Sequence, residues 1–236
     1  MATTETPWCG NAGDKLYLQS GQFSATIRTS LSITAIDTAP TGIEWDGTNS
    51  AWCGDTDNKL YLQSGKFSAT LKTSLDVNAV DISVFGVSWD GTNTPWCGDA
   101  ADKLYLQSGQ FSATLKTSLD VSGVDGEMSG ISYNGTDTPW CGAAADALYL
   151  QSGQFSATIK TSLVVGNFPS GISWDGTNTP HSSQPAKLYL QSGQFSATLK
   201  TSLDVSGVDT QPRGISTDDN ESRLGAVTFV PRIISF

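Results

Sequence analysis

Histidine and cysteine are scarce here, and their scarcity narrows the chemistry at once. The only histidine is His181, and no serine or cysteine nucleophile or carboxylate is spaced around it, so it reads as a structural residue. The four cysteines, Cys9, Cys53, Cys97 and Cys141, each follow a tryptophan at the same place in a repeated stretch. Equivalent positions of a repeat lie far apart, beyond the roughly 4.4–6.8 Å between Cα atoms that a disulfide needs. Nor do they cluster as metal ligands must. Buried free thiols are expected, with no metal and no cofactor. Basic residues are also few: 13 Lys and Arg face 23 Asp and Glu, for a net charge of −10 and a pI near 4.3. No basic stripe exists, which speaks against nucleic acid as a partner. No run approaches the roughly 18 apolar residues of a membrane span, so no membrane insertion is expected. No stretch has a period of 3.6 residues, which excludes tandem helical solenoids.

What the sequence has in abundance is itself. The stretch WDGTNTPWCGDAADKLYLQSGQFSATLKTSLDV, residues 89–121, recurs before and after with small edits. Aligned on the leucine of KLYLQSG, the copies fall at Leu16, Leu60, Leu104, Leu148 and Leu188, spaced by 44, 44, 44 and 40 residues. Trp45-Asp46-Gly47, Trp89-Asp90-Gly91, Tyr133-Asn134-Gly135 and Trp174-Asp175-Gly176 keep the same beat, and Gly214 to Asp218 carry a degenerate fifth opening.

Each unit parses into four short strands. GISWDG runs into an Asp-Gly pair, a hairpin signal that predicts a type I′ turn with positive φ at both central residues. TPWCG follows with Pro at its first position, where a missing N–H is tolerated. KLYLQSG suits a pleated surface. In FSATLKTSLDV, Phe111, Ala113, Leu115, Thr117, Leu119 and Val121 alternate with polar residues, which predicts a half-buried outer strand. Four antiparallel strands in roughly 40–45 residues, repeated, are what a β-propeller blade requires. The words resemble NHL-like and related bacterial propeller repeats. That resemblance and the five units predict an all-β, five-bladed β-propeller over residues 1–219. Its ring would close by pairing the late first strand at Gly214 with the three N-terminal strands, leaving no exposed sheet edge.

Two regions depart from the pattern. In blade five the TPWCG stretch reads Thr179-Pro180-His181-Ser182-Ser183-Gln184-Pro185-Ala186-Lys187, with Trp and Cys gone and three or four residues missing. Residues 220–236 form an apolar extension unlike the repeat. It is either an extra strand on the ring or a tail docking by β-augmentation, with Phe229, Val230, Ile233, Ile234 and Phe236 as its contact residues.

The copies also separate the two faces of the disc. WDGTNT and LQSGQFS, on one face, are nearly constant; the two-to-three loops and inter-blade crossings, on the other, vary. Variation is either drift in tolerant loops or the mark of an asymmetric neighbour. The tryptophans suit the spaces between blades, the alternative being a sugar-stacking platform. Polar turns beside aromatics make Trp45, Asp46, Asn49, Trp89, Asp90, Asn93, Trp174, Asp175 and Asn178 the candidate ligand contacts, several equivalent weak sites that avidity would strengthen. Because repetition multiplies chemistry instead of converging unlike groups, a non-enzyme is expected. The repeat wording resembles uncharacterised proteins of marine bacteriophages, implying a structural or adhesion component of a virion. Its partners would be other assembly proteins, through the variable face and tail, and host glycans. The alternative is a free multivalent lectin, similar in blade number to the tachylectins. With neither a basic nor an apolar signal region in its first residues, the chain is expected to be made in the cytoplasm and to leave by lysis or within a virion.

Overall fold

The computed structural model describes residues 5–218. Five sheets of four antiparallel strands stand around one axis. Blade two consists of β4 (Pro40–Trp45), β5 (Asn49–Gly54), β6 (Lys59–Ser64) and β7 (Leu71–Asp76). Blade three holds β8 (Val84–Val87), β9 (Thr94–Gly98), β10 (Lys103–Gln107) and β11 (Leu115–Asp120). Blade four holds β12 (Met128–Ile131), β13 (Thr138–Gly142), β14 (Ala147–Gln151) and β15 (Ile159–Val164). Blade five holds β16 (Pro169–Ile172), β17 (Thr179–Ser183), β18 (Lys187–Gln191) and β19 (Leu199–Asp204). Blade one joins both ends of the described chain. Its innermost strand β20 (Pro212–Ile215) pairs with β1 (Thr6–Gly10), which continues into β2 (Lys15–Gln19) and β3 (Ile27–Ser32). Trp8 stands opposite Ile215 in that closure. The chain is a closed five-bladed β-propeller, as the repeat predicts. The apolar extension, with Phe229, Val230, Ile233, Ile234 and Phe236, lies outside the described residues.

The axis is made by glycine. Gly42, Gly86, Gly130, Gly171 and Gly214 occupy one position of the five inner strands. A Cβ on any of them would lie 2.6–2.9 Å from the Cα of the next glycine around the ring. Real Cβ atoms do not approach backbone that closely, so only glycine lets five inner strands converge. The space left between them is about 10 Å³, too small to be a channel.

Between blades the packing is directional. Trp52, Tyr61 and Phe67 of blade two lie against Cys9, Leu16, Leu18 and Ile33 of blade one, and the same arrangement recurs around the ring. Each indole of Trp8, Trp52, Trp96 and Trp140 is fully buried and stacks on its cross-strand tyrosine with centroids 4.1–4.2 Å apart. Its Nε1–H donates to a glutamine Oε1, as from Trp8 to Gln19 at 3.1 Å and from Trp140 to Gln151 at 3.2 Å. A buried indole N–H without a partner would be costly, so stacking and hydrogen bond fix one ring orientation. The four cysteines are buried free thiols in these interfaces.

A carboxylate secures four of the five crossings. Asp37, Asp81, Asp125 and Asp209, buried just before an inner strand, accept from the hydroxyls of Tyr61, Tyr105, Tyr149 and Tyr17 at 3.1–3.3 Å. Burial, then the neighbouring Asp209, pushes the Tyr17 hydroxyl up to about 12. Room for these carboxylates comes from Gly10, Gly54, Gly98 and Gly142, where a Cβ would sit 2.2–2.3 Å from the Asp side chain.

Three local expectations need correction. The Asp-Gly turns are not type I′: the glycines take φ of 88–94°, but the aspartates keep ordinary backbone. Asp90 Oδ1 instead accepts from the backbone N–H groups of Thr92 and Asn93, a side-chain-capped turn. The outer strand begins later than its alternation suggests, at Leu115, because Phe111 sits at φ 61° in the preceding turn with its ring buried between blades. Its body is mostly exposed on both faces, Leu119 being only half-buried, because no layer lies outside it. The shortening of blade five is not confined to residues 179–187. Ser182 and Lys187 are one residue closer than Cys97 and Lys103, whereas Val165 and Pro169 are three closer than Val121 and Met128.

Candidate functional site

On the constant face, the candidate aspartates are engaged within the protein. Asp90 Oδ2 accepts from Asn93 Nδ2 at 3.2 Å and from Gln154 Nε2 of the next blade at 2.5 Å. Asp175 repeats this with Asn178 at 3.2 Å and Gln22 at 2.6 Å, and Asp46 with Asn49 and Gln110. The oxygens of Asn49, Asn93 and Asn178 accept from Lys72, Lys116 and Lys200 at 3.1–3.3 Å. Trp45, Trp89 and Trp174 are half-buried at the ends of the inner segments, around the axis, with Lys66 Nζ 5.1 Å above the Trp45 ring. The structure thus spreads the nine candidates over three equivalent turns and makes each turn a blade-to-blade clasp. At the corresponding turn of blade one, Lys66 of blade two replaces the glutamine and bonds both Glu5 and Asp218 at 2.8 Å.

The variable face is different in kind. The residues just before the axial glycines are Thr41, Phe85, Ser129, Ser170 and Arg213. The three hydroxyls donate to the next blade's backbone, Thr41 to Val84, Ser129 to Pro169 and Ser170 to Pro212, at 2.5–2.7 Å. Phe85 and Arg213 break that pattern. With Met128 and Phe168 they line an axial mouth of about 220 Å³, to which Asp99 and Glu127 add carboxylates. Burial, then nearby Asp102, raises the Asp99 carboxyl to about 6. Burial also lowers the Arg213 guanidinium, whose Nε is buried without a partner. Among the described residues, five of the eight exposed large apolar side chains, Val80, Ile82, Val124, Phe168 and Val208, stand on the crossings of this face. None stands on the constant turns, so the faces differ in polarity as well as in variability.

The third feature lies between blades four and five. His181 takes the indole position, and its ring stacks on Tyr189 at 5.0 Å. The crossing has lost its aspartate, so among the described residues no carboxylate reaches the Tyr189 hydroxyl. Ser183 stands where the other blades need glycine and donates to the Asn167 carbonyl instead. These edits belong together: with the carboxylate gone, a Cβ fits beside it. They open a cavity of about 280 Å³ bounded by Leu163, Val165, His181, Tyr189, Gln191 and Leu199. His181 is 2% exposed, and burial, opposed by the Thr179 backbone, lowers its imidazole to about 4. Sequence reading found His181 but missed the cavity, whose signal was the simultaneous loss of Asp, Gly and Trp. Among the described residues no group of three or more His, Cys, Asp or Glu is placed to hold a metal ion.

No protein-family model matches the sequence, and no curated protein matches it. Solved structures do. The fold is shared. A chain of the nidogen/laminin complex superposes with a TM-score of 0.63 at 11% identity, covering 92% of this chain and 99% of that one. Myxococcus xanthus glutaminyl cyclase gives a TM-score of 0.60 at 14% identity, over 75% of this chain and 80% of that one. At such identities the likeness carries the fold alone. It also overturns the expected non-enzyme: a glutaminyl cyclase has a similar architecture, so a ring of sheets does not exclude turnover. The physical premise fails too, because the edits in blade five converge unlike groups on one unrepeated cavity.

Proposed function

We propose that the chain is a docking module of a larger assembly, engaging a protein partner through the variable face around the axial mouth. The observation that carries this reading is the segregation of exposed apolar side chains onto the crossings, with Phe85, Phe168 and Arg213 at their centre. Aromatic residues and Arg at the middle of a patch, ringed by polar groups, are the composition of energetic hot spots. The assembly we have in mind is a bacteriophage virion, a choice supported by the wording of the repeat. The chain would be made in the cytoplasm and carried out by lysis or in the particle. A photo-crosslinking residue at Phe168 should then yield particle-protein adducts in producing cells, whereas one at Thr92 on the constant face should not. Equal labelling from both positions, or none from Phe168, would refute the docking role.

A second reading, glycan binding on the constant face, is favoured by one feature. The half-buried rings of Trp45, Trp89 and Trp174 lie beside the exposed tips Gly47-Thr48, Gly91-Thr92 and Gly176-Thr177. It predicts several equal sites per chain on a glycan array and saturable quenching of tryptophan fluorescence by the selected sugar. A single site, or none, would remove it.

A further inference from the structure

The four intact blade boundaries show what the fifth has room for. In each, an indole lies fully buried against a tyrosine and gives its N–H to a glutamine Oε1. That glutamine is held by its other end: Gln107 Nε2 donates to the Ser112 carbonyl at 2.7 Å and Gln63 Nε2 to the Ser68 carbonyl at 2.6 Å. Gln191 keeps this anchor, with Nε2 donating to the Ser196 carbonyl at 2.6 Å. Its Oε1 therefore faces the place where an indole N–H belongs, and among the described residues no donor reaches it. Leu163, Val165 and the half-exposed Leu199 supply apolar lining in the same cavity. The residues lining the cavity include no Asp, Glu, Lys or Arg.

We propose that this cavity is a binding site for a small, neutral, planar aromatic or heteroaromatic molecule that carries a ring N–H or O–H and donates it to Gln191 Oε1. The missing part of the tryptophan is its template. Size follows from volume: about 280 Å³ lies just below the lower end of the range for ligand pockets (roughly 300–1,000 Å³), which admits one or two fused rings. Neutrality follows from the lining, because an ion placed there would lose its hydration without gaining an opposite charge. His181 does not supply that charge, since burial keeps its imidazole unprotonated at neutral pH. The hydroxyl of Tyr189, which among the described residues has no carboxylate partner, leaves polar capacity for a ligand with a second polar atom.

Indole itself is the probe. Titrated into the full chain and followed by calorimetry and by the proton resonances of the single histidine, it should bind saturably at one site and shift those resonances. Naphthalene, a flat bicycle close to indole in size but without a donor, should bind up to about tenfold more weakly, the worth of one neutral hydrogen bond. Indole-3-acetate, an anion, should not compete. Gln191→Leu should weaken indole by about the same factor and leave naphthalene unchanged. His181→Trp should fill the cavity and abolish binding of both; should that variant fail to fold, the Gln191→Leu comparison decides. Absence of saturable binding, equal affinity for indole and naphthalene, or unchanged binding by a folded His181→Trp variant would each overturn the proposal.

Discussion

Trp96→His would copy onto an intact boundary the residue that blade five carries. Trp96 is fully buried against Tyr105 at 4.1 Å, among Cys53, Leu60 and Leu62 of the preceding blade, and it donates to Gln107 Oε1 at 3.4 Å. Removing a whole buried aromatic side chain costs about 3–5 kcal/mol, and imidazole keeps part of the ring, which leaves about 2–3 kcal/mol for lost contact and the cavity. Leaving the Gln107 oxygen without its donor adds about 1 kcal/mol. The total of about 3–4 kcal/mol corresponds, in a domain of this size, to a fall in Tm of about 6–16 °C. Thermal unfolding followed by near-ultraviolet circular dichroism reads it directly. Trp52→His should cost a similar amount, because its surroundings are nearly the same. A fall under 2 °C would show that the interface repacks around an imidazole unaided. The indole-shaped packing would then not be what holds adjacent blades together.

Other perturbations test other layers. Gly86→Ala places a methyl group 2.8 Å from the Ile131 nitrogen and 2.9 Å from the Gly130 Cα, so the folded yield should collapse; Gly123→Ala, in open space on a crossing, should be neutral, and the pair is read by soluble expression and Tm. The imidazole of His181 is held at about 4 against about 6.5 in the unfolded chain. The unfolded state therefore takes up the proton first, and stability should fall as pH drops from 6.5 towards 4. His181→Phe should remove that part of the acid sensitivity, seen in urea midpoints across the range; an unchanged profile would place the sensitivity elsewhere. All four thiols are buried, with Cys9 and Cys141 raised to about 12 chiefly by burial. Native protein should leave Ellman's reagent colourless and release four equivalents once unfolded; a fast-reacting thiol in the native state would contradict the packing.

The architecture was legible because repetition writes one unit five times, and strands with tight turns are specified locally. Blade number, ring closure and the burial of the Trp-Cys pairs all followed from that. What stayed hidden was set by contacts across long sequence separations. Gly42 and its four counterparts look like ordinary strand glycines until five strands converge on an axis. Asp81 reads as a loop residue until Tyr105, 24 positions on, reaches its carboxylate. The outer strand was over-extended because Phe111 keeps the apolar rhythm while sitting in a turn. At the candidate sites, the pairing of a polar turn with an aromatic singled out Asp90 and Trp89, but not the bond from Gln154, 64 residues away. The cavity beside His181 needed three separated edits to be read together, and the shortened crossing among them passed for drift.

Because β20 and β1 come from opposite ends of the described chain, synthesis imposes an order on the final sheet. The strands that complete blade one leave the ribosome first and must wait, unpaired on one edge, until the innermost strand is made. Until then each nascent molecule carries a vacancy that β20 of a neighbouring copy fits equally well. Crowded expression therefore carries a hazard of head-to-tail chains of swapped rings.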